Sequence, residues 1–67
     1  MTYTVTHLLG HIHGTYNDST TAHTEVLKLL PLSKSKASKL LNRLAGSRAG
    51  STIRVEYDNC EVTVTVQ

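Results

Sequence analysis

Lys34, Ser35, Lys36, Ser38, Lys39, Asn42 and Arg43 lie within one short stretch that contains no acid. Ammonium and guanidinium groups interleaved with hydroxyls and a carboxamide suit phosphate oxygens and the edges of bases. They are poorly suited to proton transfer. Ser33, Ser35 and Ser38 have lysine neighbours, but the block offers no carboxylate to build a nucleophile and its base. The chain is therefore expected not to be an enzyme. All seven lysines and arginines (Lys28, Lys34, Lys36, Lys39, Arg43, Arg48 and Arg54) fall between positions 28 and 54, and no acid lies in that interval. Asp18 and Glu25 precede it, and Glu56, Asp58 and Glu61 follow it. The net charge is only +2, so the signal is the clustering, which reads as an electrostatic footprint for a polyanion.

Other chemistry is thinly represented. His7 and His11 are one helical turn apart and could share a face, but His13 would then point elsewhere, which weakens a three-histidine metal site. There is no Cys-x-x-Cys, glycine-rich phosphate loop or His-Glu-x-x-His pattern. No metal or cofactor is expected. The single Cys60 has no internal disulfide partner and reads as a packed side chain in a reducing, cytoplasmic setting. No apolar run is long enough for a signal peptide or a membrane span.

The basic residues need an element to present them, and the spacing supplies one. Ala37, Leu40, Leu41, Leu44 and Ala45 follow helical periodicity, so residues 33–45 are expected to form a helix with one buried stripe. Ser33 is a suitable N-cap and Gly46 a suitable left-handed C-cap. Ser35, Lys39, Asn42 and Arg43 then project away from the stripe, with Lys34 and Lys36 on its flanks. Two lysines in a first turn oppose the helix dipole, at a few tenths of a kcal/mol each, unless an anion is met there.

Ala22, Val26, Leu29 and Leu30 predict a preceding helix that Pro31 ends. Leu32 follows as a buried hinge, and two helices joined this tightly must cross steeply, as in a helix-turn-helix. Residues 14–20 are polar and predict a loop, with Ser19, Thr20 or Thr21 as the next cap. Residues 2–16 are ambiguous. Val5, Leu8, Leu9, Ile12 and Tyr16 keep helical spacing and favour a helix from about Thr4 to His13, which Gly10 weakens; a strand at residues 2–6 is the alternative. After Gly50 the period becomes two. Ile53, Val55 and Tyr57, then Val62, Val64 and Val66, predict a hairpin about Asp58-Asn59. In that register Tyr57 opposes Cys60, Val55 opposes Val62 and Ile53 opposes Val64 on one face, while Arg54 opposes Thr63 and Glu56 opposes Glu61 on the other.

With 67 residues, no Phe or Trp and three tyrosines, residues 1–67 make a single domain with a small aliphatic core. The expected class is α+β, three short helices followed by a C-terminal β-hairpin. The run from Glu25 to Leu44 resembles the second and third helices of winged helix-turn-helix regulators. Leu30-Pro31-Leu32-Ser33-Lys34-Ser35 takes the place of the turn, Ala37 the early buried position of the recognition helix, and Leu40, Leu41 and Leu44 its core side. The resemblance implies a small DNA-binding regulator of transcription, acting on double-stranded DNA as a homodimer. Its contact residues would be Ser33, Lys34, Ser35, Lys36, Ser38, Lys39, Asn42, Arg43, Arg48 and Arg54. Pro31 replaces the usual glycine. The wing tip carries Glu56, Asp58 and Glu61, so it would be held away from phosphates and leave the recognition helix to carry the contact. The competing expectation is a protein-binding inhibitor or adaptor that uses its hairpin edge to hold a protein partner.

Overall fold

A computed structural model describes residues 1–7 and 10–67, with β1 (Tyr3–His7), β2 (His11–Tyr16), α1 (Ser19–Leu29), α2 (Lys34–Ala45), β3 (Thr52–Tyr57) and β4 (Cys60–Val66) in chain order. The strands form one antiparallel sheet in the order β2-β1-β4-β3. The expected arrangement of three helices followed by a hairpin is therefore wrong. Two helices lie between two hairpins, and β1 pairs with β4 to join the hairpins into one sheet.

The error lies at the N-terminus, where the expected helix from Thr4 to His13 is replaced by β1 and β2. The strand alternative at residues 2–6 lies close to β1. Tyr3 and Val5 are buried while Thr2, Thr4 and Thr6 are only half covered, a period-two pattern of β-branched and aromatic residues that suits a central strand. Pairing on both sides satisfies the β1 backbone, which a marginal helix containing glycine could not match. Gly10, at φ +86°, takes a left-handed conformation that glycine adopts without strain. The positions assigned to Leu8 and Leu9 in the expected helix lie outside the described residues. Gly14, Thr15 and Tyr16, expected in a loop, belong to β2, and the β1–β2 register shifts between Val5 and Thr6.

The second half follows its sequence pattern. Tyr57 opposes Cys60, Glu56 opposes Glu61, Val55 opposes Val62, Arg54 opposes Thr63 and Ile53 opposes Val64. Asp58 and Asn59 have φ 48° and 65°, the left-handed pair of a two-residue hairpin turn. Val5, Ile53, Val62, Val64 and Val66 face Ala22, Val26, Leu30, Leu40 and Leu44 across the core, and each larger side chain buried there contributes roughly 1.5–3 kcal/mol. The opposite face of the sheet carries the threonines and has no helix on it; Thr4 and Thr15 share a hydroxyl hydrogen bond of 3.2 Å there.

Asp18 caps α1, accepting from the Thr21 backbone N–H at 2.7 Å, so the cap falls one residue before the three expected. Leu30 closes the helix in extended backbone (φ −127°, ψ 120°) before Pro31, as the proline requires. Ser33 caps α2 through its hydroxyl. Gly46 ends it at φ −92° rather than in the left-handed region; Ser47 satisfies the Leu44 carbonyl through its Oγ at 2.7 Å, so no left-handed residue is needed. No helix among the described residues is long and apolar enough to cross a membrane.

Candidate nucleic-acid interface

Helix α2 presents the basic block as its periodicity demands. Leu40 and Leu44 are buried, Ala37 and Leu41 are half-buried, Ala45, expected in the buried stripe, is exposed at the helix end, and Lys34, Ser35, Lys36, Ser38, Lys39, Asn42 and Arg43 are exposed. With 3.6 residues per turn, Ser35, Ser38 and Asn42 fall along the crest opposite Leu40 and Leu44. Lys36, Lys39 and Arg43 line the flank toward β3. Lys34 sits on the other flank. Leu41 lies at the edge of the buried stripe, so Leu40 and Leu44 anchor the helix.

Between α2 and β3 runs a shallow groove of about 200 Å³, lined by Lys36, Lys39 and Arg43 over a floor that includes Leu32, Leu40 and Val55. Lys36 to Arg43 covers roughly 10 Å of helix axis at about 1.5 Å per residue, enough to meet successive phosphates of one strand. Among the described residues, none of Lys34, Lys36, Lys39 and Arg43 makes an ion pair. Glu56 stands on the far rim, and beyond it an open hollow at the β3–β4 turn collects Glu56, Asp58 and Glu61. The molecule is thus basic along α2 and acidic at the hairpin tip.

The remaining expected site residues are placed less favourably. Ser33 is exposed but its hydroxyl is occupied by the cap. Arg48 is exposed in the loop after α2, its backbone N–H donating to Ser51 Oγ at 3.3 Å. Arg54 points to the threonine-bearing face, where its Nε lies 3.4 Å from Glu61 Oε1. That contact relieves the Glu56–Glu61 like-charge pair and partly neutralises Arg54, which still lines the β3 side of the α2 groove. Lys28 is also committed, with Nζ 2.7 Å from Glu25 Oε2.

Glu25 is the hub of a second polar cluster, on α1. His13 Nε2 is 3.2 Å from its Oε1, and the Tyr16 hydroxyl donates to the same oxygen at 3.3 Å. Hydrogen bonds from Lys28 and His13 hold the Glu25 carboxyl below its usual range. Burial, reinforced by Glu25, pushes the Tyr16 phenol up, and the Glu25 hydrogen bond raises Lys28. The Asp18 carboxyl is lowered by the Thr21 backbone and hydroxyl hydrogens. Tyr16 folds back over Gly14, where a Cβ would sit only 2.7 Å from the Tyr16 Cζ. This cluster ties β2 to α1 and leaves α2 untouched.

The sequence did not reveal the groove floor, because Leu32, Leu40 and Val55 come from three separate elements whose approach depends on the sheet order. The stripe position of Leu40, the period-two signal at Val55 and the hinge at Leu32 were its only traces. No protein-family model, no curated protein and no solved structure matches the chain.

Proposed function

We propose that this chain binds double-stranded DNA through α2 and regulates transcription, two copies acting together on adjacent sites. The observation that carries the reading is the division of α2 into a hydrogen-bonding crest (Ser35, Ser38 and Asn42) and a cationic flank (Lys36, Lys39 and Arg43), all exposed. A helix of this kind enters a major groove about 12 Å wide with its crest against the base edges and its flank along one phosphate backbone. The helix itself is about 18 Å long for its 12 residues. Lys34 then meets the opposite strand near the helix N-terminus, where an anion offsets the unfavourable first-turn lysines. One module of this size makes few contacts, so pairing of two copies raises affinity to a useful level.

The test is binding to mixed-sequence duplex at about 50 mM salt, where several phosphate contacts bind measurably. Combined Lys36→Ala, Lys39→Ala and Arg43→Ala substitution lowers affinity for every duplex and reduces the slope of log K against log salt by about three units, one released counterion for each cation. Undetectable duplex binding by the parent protein sinks the reading. A second reading, a protein-binding module, is favoured by one observation: β3 is an edge strand, open to pairing with an extended segment of another protein. Undetectable duplex binding shifts the weight to that reading, whereas retained binding with an unchanged salt slope in the triple variant would place the DNA contact away from α2.

A further inference from the structure

The four histidines divide into two kinds. His13 meets Glu25 and His23 Nε2 meets the Ala37 carbonyl at 2.7 Å. His7 and His11 make no side-chain hydrogen bond or ion pair among the described residues, and they stand directly opposite one another across β1 and β2. The helical-turn relationship expected from their spacing is replaced by a cross-strand one.

We propose that His7 and His11 form a two-histidine site for a divalent metal ion of the zinc, copper or nickel class. Directly opposed residues of an antiparallel pair have Cβ atoms about 4.5–5.5 Å apart on one face of the sheet. From that separation two imidazoles can converge on one ion at roughly 2.0–2.1 Å each. The row of the sheet to which they belong runs His11, His7, Val62, Val55. Its β4 member Val62 is fully buried and its β3 member Val55 half-buried against the core, whereas the β1 and β2 members are imidazoles. His7 is half-buried and His11 exposed, so one ligand is held by its surroundings and the other is reachable from solvent. Neutral imidazole nitrogen favours borderline ions over calcium or magnesium. Among the described residues no third His, Cys, Asp or Glu completes a group; water fills the remaining positions, and the ion bridges two strands joined by a short connection.

Zinc chloride titrated into the whole chain tests the site without any nucleic acid. The ring signals of His7 and His11 shift together and saturably in the NMR spectrum while those of His13 and His23 do not move, and the melting temperature rises with zinc. His7→Asn and His11→Asn each abolish the saturable shift, whereas His13→Asn keeps it. Ring shifts on the unaltered protein keep the test valid even if a variant folds poorly. The proposal is overturned if no saturable ring shift occurs, if the transition survives the double Asn variant, or if Cys60→Ser alone removes it.

Discussion

Helices α1 and α2 are nearly equal in length, 11 and 12 residues, and cover the same face of one sheet, yet they use their polar residues in opposite ways. On α1, Glu25 gathers His13, Tyr16 and Lys28, Thr24 donates to the Thr20 carbonyl at 3.0 Å, and His23 reaches across to α2. On α2, beyond the Ser33 cap, no side chain from Lys34 to Arg43 has a hydrogen-bond or ion-pair partner among the described residues. Polar groups that satisfy one another fix a fold, whereas unpartnered cations on a rigid element are available to something outside it. The difference separates a helix that holds the molecule together from one that it displays.

Removing the anchor of the displayed helix has the largest expected effect. Leu44→Ala empties a fully buried position and costs roughly 2–5 kcal/mol, which unfolds much of so small a domain. Leu41→Ala costs clearly less because Leu41 is only half-buried. Chemical denaturation of the two variants measures the gap, and equal losses would show that α2 is seated on a different stripe. Next comes the crest: Asn42→Ala removes about 1–3 kcal/mol of discrimination at one or two base pairs and leaves stability within about 0.5 kcal/mol. Selection of bound sites from random DNA, compared between parent and variant, reads that change. Uniform weakening on all sequences would instead place Asn42 among the phosphate contacts.

These predictions rest mostly on residues whose placement was legible in the sequence. The α2 stripe, the Ser33 cap, the Pro31 break and every pairing of the β3–β4 hairpin follow from local period and turn chemistry, which act within a few residues. The N-terminal hairpin was not legible in the same way. Val5, Ile12 and Tyr16 satisfy a helical period as well as Tyr3 and Val5 satisfy a strand period, and local pattern cannot choose between them. The choice is made by β4, more than fifty residues away in sequence, whose open edge β1 fills. Lys28 and Arg54 were counted in the basic footprint for a related reason. Their neutralising partners, Glu25 and Glu61, are visible in the sequence, but only the helix and sheet geometry brings them within ion-pair distance.

On α1 the comparison is sharpened by disturbing the hub at the margin of the core, where Tyr16 packs. Gly14→Val puts a side chain where the Tyr16 ring lies, displaces the phenol from Glu25 and frees β2. The expected loss is about 1 kcal/mol of stability, within the usual range for a single substitution. Faster amide exchange confined to β2 would report the local release. The DNA affinity of α2 should be unchanged. A matching loss of duplex binding would show that the two helices are coupled rather than separate in role.

The smallest expected effect is also specific to α1, and it is read from pH. Glu25 and Asp18 have carboxyl groups held below their usual range in the folded chain. In the acid range the unfolded chain therefore binds more protons than the folded one. Their contribution is complete above the ordinary carboxylate value near 4 and is lost as pH falls through the lowered folded values. Tyr16 and Lys28 are raised; their contribution is complete below about 10 and is lost as pH climbs through the raised folded values. The melting temperature should accordingly decline at both the acid and the alkaline end. Asp18→Asn keeps a capping oxygen but removes the charge, so it flattens the acid arm alone. Glu25→Gln flattens the acid arm and weakens the alkaline one, because Glu25 raises Lys28 and reinforces the shift of Tyr16. If Glu25→Gln leaves both arms as they were, the carboxylate is not the hub of α1, and the contrast between a self-satisfied helix and a displayed one loses its electrostatic half.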